Sequence, residues 1–196
     1  MCMVDKQKQQ SGFALLVSLI VVGAVLSIGL VILDLSIKQV RLASTTKDSE
    51  IAFHAANAGM ECARFWRRDQ NEQAITGADL VGVECFGVSV GDVADAGTAT
   101  VDDNSDGDGY VYEYEMSWNG GESCTTITTV VAVASLTGDG VAIDNIRTLI
   151  PGYPEGDTLT CGAASQCTVV AVEGYNRPCA QKSGFGTIQR EVLLEF

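Results

Sequence analysis

The sequence predicts an α+β protein: one long N-terminal α-helix, its first half apolar enough to lie in a bilayer, followed by a C-terminal antiparallel β-sheet head. Three observations carry this reading. Residues 13–33 are uncharged, with Ser18 and Ser27 as the only hydroxyl interruptions. No proline occurs from 34 to 68, where small and apolar residues recur at helical spacing. Beyond residue 69, stretches rich in valine, threonine and tyrosine alternate with turns rich in glycine, aspartate and asparagine.

The uncharged run covers about 30 Å at helical rise, the thickness of a bilayer hydrocarbon core. A short polar stretch, residues 1–12 with Asp5, Lys6 and Lys8, precedes it. A cleaved secretory signal requires small residues after the apolar core, and Ile28-Gly29-Leu30 and Leu33-Asp34-Leu35 do not supply them. The span is therefore expected to be retained as a single membrane crossing. Basic residues lie on both sides of it, Lys6 and Lys8 before and Lys38, Arg41 and Lys47 after, so their count does not orient it.

The helical pattern continues through residues 34–68. Ile51, Ala55, Ala58, Cys62 and Phe65, flanked by Ala52, Ala56, Gly59, Ala63 and Trp66, fall on one face at spacings of three and four. A helix over 13–68 would measure about 84 Å. Gly59 costs such a helix about 1 kcal/mol against alanine, which a close approach by a strand would explain.

Residues 69–196 form the head, long enough for one modest core. Charge divides unevenly. Through Arg68 the chain carries eight basic against five acidic residues, and from Asp69 onward four against twenty, giving the net charge of −13. The acidic head lacks the basic face that phosphate neutralisation demands, so no direct nucleic-acid contact is expected of it. Residues 69–82 read as a loop and 81–90 as a strand. Residues 110–118 and 123–135 read as a hairpin turned at Asn119-Gly120-Gly121. Residues 141–156 read as a short strand or irregular packing, and 168–173 and 187–196 as closing strands.

Seven cysteines are present. Without Cys2, six remain: Cys62, Cys85, Cys124, Cys161, Cys167 and Cys179. An even number in an exported head favours disulfides in one of fifteen connectivities, with free buried thiols the alternative. His54 is the only histidine and no C-x-x-C pair occurs, so zinc is not indicated.

One segment has the spacing of a calcium loop. Residues 102–113 fit D-x-[DN]-x-[DN]-G-x5-E. In such a loop Asp102, Asn104 and Asp106 supply side-chain oxygens, Gly107 the sharp turn, Asp108 a carbonyl, Tyr110 a water-mediated contact and Glu113 a bidentate carboxylate around Ca2+. Gly109 departs from the aliphatic residue expected there, and a strand pattern follows instead of a helix. The alternative is an acidic, glycine-rich surface loop whose carboxylates repel one another. Catalytic constellations are absent from the sequence: the scattered acids Asp139, Asp144, Glu155 and Asp157 have no partner base, and no enzyme is expected. Tyr110, Tyr112, Tyr114 and Trp118 read as one sheet face.

The polar leader 1–12, the Gly12-Phe13 junction and the retained apolar helix resemble the N-terminus of type IV prepilins and pseudopilins. Residues 49–63, with Ala52-Phe53-His54-Ala55-Ala56-Asn57-Ala58-Gly59-Met60-Glu61, resemble the A-F-x-A-A-x-A-G-x-E stretch of PilX-like minor pilins. The turn at 174–179 with the strand 189–196 resembles their closing hairpin more loosely. The resemblance covers residues 1–68 and 168–196 and leaves the middle hundred unassigned.

The resemblance implies a pilin-like fold and cleavage between Gly12 and Phe13 by a membrane prepilin peptidase, with methylation of the new Phe13 amine. It further implies a single-pass protein of the bacterial cytoplasmic membrane, head extracytoplasmic, that joins other pilin subunits through its N-terminal helix and reaches the pilus or cell surface. Major pilins carry a glutamate five residues after the cut, where this chain has Val17. An ammonium in an apolar core without that carboxylate is costly, which suits a tip or initiating subunit more than a repeating one. Adhesion, motility, secretion and DNA uptake are the activities such filaments serve. The competing expectation is a membrane-anchored extracytoplasmic module that does not assemble and uses its head to bind calcium or a ligand.

Overall fold

The computed structural model describes residues 8–93, 97–102 and 105–196. Residues 1–7 of the expected leader, with Cys2 and Lys6, and Asp103 and Asn104 of the expected calcium loop lie outside the described residues. The chain divides into two compact units, Met1–Lys47 and Asp48–Phe196, each taken by itself below.

Helix α1 spans Lys8–Asp69. It begins before Gly12, so the helix expected to open at Phe13 already includes the junction. In the first unit every side chain from 12 to 47 is exposed. The two hydroxyls of the apolar run are satisfied inside the helix: Ser18 Oγ donates to the Leu15 carbonyl and Ser27 Oγ to the Ala24 carbonyl, each at 2.8 Å. This helix is long and apolar enough to cross a membrane.

The second unit is built on an antiparallel sheet. A short helix, α2 (Asn71–Thr76), is closed by Gly77 at φ 69°, the left-handed cap that glycine adopts without strain. Strands β1 (Leu80–Cys85) and β2 (Val88–Val93) form a hairpin. Strands β3 (Gly97–Thr98), β4 (Gly107–Trp118) and β5 (Ser123–Ala134) follow. Next come β6 (Val141–Asp144), the short helix α3 (Ile146–Leu149) and β7 (Thr158–Cys161). Strands β8 (Gln166–Tyr175) and β9 (Gln189–Glu195) close the chain. The main sheet runs β3-β4-β5-β8-β9, with β1-β2 and β6-β7 as separate two-stranded sheets.

Period-two side chains send the main sheet's two faces into two different cores. On one face Tyr112, Tyr114, Met116, Ile127, Val131, Val170 and Val172 meet Ala55, Ala56, Met60 and Ala63 of α1. On the other, Val111, Val130, Ala132, Val169 and Ala171 meet Val141, Ile143, Ile146, Ile150, Tyr153 and Leu159, from β6, β7 and the α3 region. A sheet buried on both sides needs unbroken apolar strands, and β5, with Ile127, Val130, Val131 and Ala132 fully buried, has that character.

Small residues let α1 sit close to the sheet. A Cβ on Gly59 would meet Thr125 Cγ2, and Val172 Cγ1 at 2.8 Å, so the strand approach expected there exists. The buried α1 stripe is Ala52, Ala55, Ala56, Gly59, Met60, Cys62, Ala63 and Arg67. It lies to one side of the stripe expected from sequence, because Phe65 is exposed and Ile51 and Ala58 are only half-buried.

The head departs from expectation at three further places. The stretch 69–82 holds α2 and the start of β1 instead of a loop. The single strand expected over 81–90 is a hairpin bent at Phe86-Gly87, both at positive φ. Of the two readings of 141–156, the short strand is met by β6, but it pairs with β7, a strand the sequence pattern did not suggest. The hairpin at 119–121 and the closing β8-β9 pair are formed as expected.

Candidate functional site

The apolar helix is the first candidate. Gly12, Gly23 and Gly29 have nothing within 4 Å of a built Cβ, so the helix surface there is open for a neighbouring backbone. Val17 is half-exposed, and no carboxylate stands among residues 13–33. The first acid past the run, Asp34, pairs with Lys38 on its own helix at 2.8 Å, so neither is left as a lone charge at that level.

The acidic segment is the second candidate, and most of it is not a loop. Asp108, Tyr110 and Glu113 lie on β4, paired in register with Val133, Val131 and Thr128. Six residues of strand carry Glu113 about 20 Å from Gly107, whereas a calcium ligand must return to within about 2.6 Å of the ion. The twelve-residue ligand set therefore does not close round one ion through Glu113. The Tyr110 ring packs against Gly77. The backbones of Asp102 and Asp106 both meet the 140–142 segment, Asp102 N donating to Ala142 O and Asp106 N to Gly140 O, each at 2.9 Å.

The six head cysteines resolve into three pairs: Cys62–Cys85 between α1 and β1, Cys124–Cys179 between β5 and the segment after β8, and Cys161–Cys167 between β7 and β8. Glu115 gathers with Cys124 and Cys179, but a sulfur bound in a disulfide is no thiolate ligand, so this group is not a metal centre.

A cleft of about 650 Å3 opens beside Ile51, His54, Ala58, Trp118, Glu122 and Arg177. Some of its polar groups are engaged: Asn119 Nδ2 donates to Glu122 Oε2 at 2.6 Å, Asn176 Oδ1 accepts from Ile188 N at 2.7 Å, and His54 faces Glu50 at 3.7 Å. No nucleophile–base pair forms there among the described residues.

Two polar features were not foreseen. Arg67 is buried between α1 and β8, donating to Thr168 Oγ1 at 2.9 Å and to Asn71 Oδ1. Burial lowers its pKa, an effect opposed in part by Tyr112. Its position four residues after Ala63 was the available signal. Beyond the cover of β6 and β7, the sheet carries the cross-strand row Glu115, Thr126, Glu173 and Glu191. Lys182 Nζ bonds Glu115, and Thr126 Oγ1 at 3.1 Å. Tyr175 Oη and Gln189 Nε2 donate to the two oxygens of Glu173 at 2.6 and 2.8 Å. Glu191 faces Glu173, and burial followed by that neighbour's charge pushes its pKa up. On the adjoining part of the same face, burial and then Glu195 push the Tyr153 hydroxyl up to about 12.

No family model, curated protein or solved structure matches this chain. What the fold itself defines is an α+β head with one long apolar N-terminal helix.

Proposed function

We propose that the chain is a minor pilin or pseudopilin, a structural subunit of a type IV pilus-like filament. One observation carries the reading: a single helix, α1, bears both an uncharged, exposed run and, further along, a small-residue stripe buried on an antiparallel sheet. An exposed apolar surface of that extent requires lipid or other apolar helices around it. A subunit that leaves the membrane for a filament exchanges the first for the second. The partners are then the membrane, a prepilin peptidase acting between Gly12 and Phe13, and other pilin subunits meeting the helix. Val17, in place of a carboxylate, supports a tip or initiating position over a repeating one. Three disulfides suit a head outside the bacterial cytoplasmic membrane, where thiols oxidise, and later at the cell surface.

The test is the intact mass of the chain after co-expression with a prepilin peptidase, beside a Gly12→Ala version. Loss of residues 1–12 with gain of one methyl group, abolished by the substitution, is the expected result. A chain left uncut where a control prepilin is cut would assign it instead to the non-assembling anchored modules.

A further inference from the structure

The outer edge of β9 is a row of free backbone groups. Thr168 and Phe196 exchange both backbone hydrogen bonds, at 2.7 and 3.0 Å, which sets the ladder phase between β8 and β9. In an antiparallel ladder bonded and non-bonded pairs alternate, so Leu194, Val192 and Arg190 bond inward to β8. Gln189, Glu191, Leu193 and Glu195 then aim their N–H and C=O groups away from the sheet. No strand borders β9 on that side, and no backbone hydrogen bond is made there among the described residues.

This edge lacks a bulge, a proline and a lysine, and its protection rests on the charges of Arg190, Glu191 and Glu195. The β8-β9 register runs unbroken from Val169↔Glu195 to Tyr175↔Gln189. An edge strand in unbroken register, with its outward backbone groups unpaired, accepts another strand. Arg190, the one cation on β9, is held by Ser49 Oγ through Nε at 2.9 Å and Nη2 at 2.7 Å.

Charge selects the occupant. Glu191 stands opposite Glu173 in a non-bonded pair, where side chains are closest, and like charges so placed repel. Glu173 is served by Tyr175 and Gln189, while Glu191 has no hydrogen-bond or ion-pair partner among the described residues. A second copy of β9 is a poor occupant. Each antiparallel register that pairs the odd-numbered residues and overlaps beyond Gln189 alone sets a carboxylate of one copy directly or diagonally against one of the other. A strand with a lysine or arginine beside Glu191 and apolar residues beside Val192, Leu193 and Leu194 satisfies both backbone and charge.

We infer that the free edge of β9 is a docking site for an extended, basic segment of another protein, added as a sixth strand to the main sheet. This does not depend on the filament reading.

The full chain in detergent micelles tests it against an eight-residue peptide of alternating threonine and valine with one central lysine. Three comparisons accompany it: a central-glutamate peptide, a lysine peptide methylated at every backbone nitrogen, and the Glu191→Lys protein. With the lysine peptide at saturation, amide exchange at Glu191 and Leu193 slows about tenfold or more. The glutamate and methylated peptides leave it unchanged, and Glu191→Lys reverses the preference between lysine and glutamate. Equal binding of the methylated peptide would reduce the effect to charge alone and overturn the proposal. Protection without peptide that rises with protein concentration would overturn it too, by giving the edge to a second copy.

Discussion

Gly174 of β8 lies directly against the α1 backbone at Ala56, with the Ala52 carbonyl beside it, and leaves no room for a Cβ. Gly59 mirrors it from the helix side, where the obstructing atoms are the side chains of Thr125 and Val172. A backbone cannot step aside as a methyl can. Gly174→Ala should therefore cost about 3 kcal/mol, at the upper end of overpacking effects. Gly59→Ala regains about 1 kcal/mol of helix propensity and should cost less. Urea unfolding of the two variants in detergent measures the order, and equal costs would refute this account of the contact.

Disulfide removal should rank by loop length. The bridges span 55, 23 and 6 residues for Cys124–Cys179, Cys62–Cys85 and Cys161–Cys167. Chain-entropy arguments give about 4, 3 and 2 kcal/mol respectively. Paired serine substitutions followed by thermal unfolding check the ranking, and non-reducing peptide mapping checks the connectivity.

Glu191→Gln should stabilise the head at neutral pH by about 0.5 kcal/mol at low ionic strength, the effect shrinking with salt. The sign follows from the raised pKa: the folded state holds this proton more tightly than the unfolded state. Its favourable contribution is complete below the ordinary value of 4.5 and is lost as pH rises through the folded value. The difference between wild type and variant should therefore vanish near pH 4 and grow toward pH 7 in denaturant titrations.

Terbium luminescence or calorimetry on the full chain should reveal no tight calcium site, because Glu113 is drawn out along β4 away from Asp102 and Asp106. Glu113→Gln should leave any millimolar response unchanged. A micromolar site abolished by that substitution would show that this region rearranges around the ion.

Val17→Glu tests the assignment to a tip or initiating position. Supplying the missing carboxylate should raise the number of copies per filament, counted by immunogold labelling or quantitative mass spectrometry. Unchanged number and position would remove Val17 from the argument.

The sequence carried the β4-β5 hairpin because a turn-forming Asn-Gly-Gly joins two long runs of strand-forming residues. It carried the α1 stripe approximately, since periodicity locates a face but not its width. Phe65 fits the spacing yet stays exposed, while Arg67 is buried. The β1-β2 hairpin was hidden by its turn, where Phe86 holds φ 52°, a conformation no propensity assigns to phenylalanine. A short strand in 141–156 was legible, but β7, its partner, is four residues long and too short for a period to register. The calcium pattern reads composition without curvature. Within the same residues the tyrosine alternation signalled a strand, and that signal governs Gly107 onward. Cysteine pairing is set by three-dimensional neighbours, which no count of cysteines contains.

The connectivity also dictates an order of maturation. Cys161–Cys167 is nested inside Cys124–Cys179, while Cys62–Cys85 stands apart. In a head delivered to an oxidising compartment in chain order, joining cysteines as they arrive makes the first pair correctly and then links Cys124 to Cys161, a wrong bridge. Cys124 must therefore stay reduced until β8 has paired with β5 and brought the following segment alongside, or the wrong bridge must be exchanged through a mixed disulfide. Head assembly thus depends on delayed oxidation of Cys124 or on thiol shuffling, and a host that oxidises early without isomerising should accumulate the mispaired form.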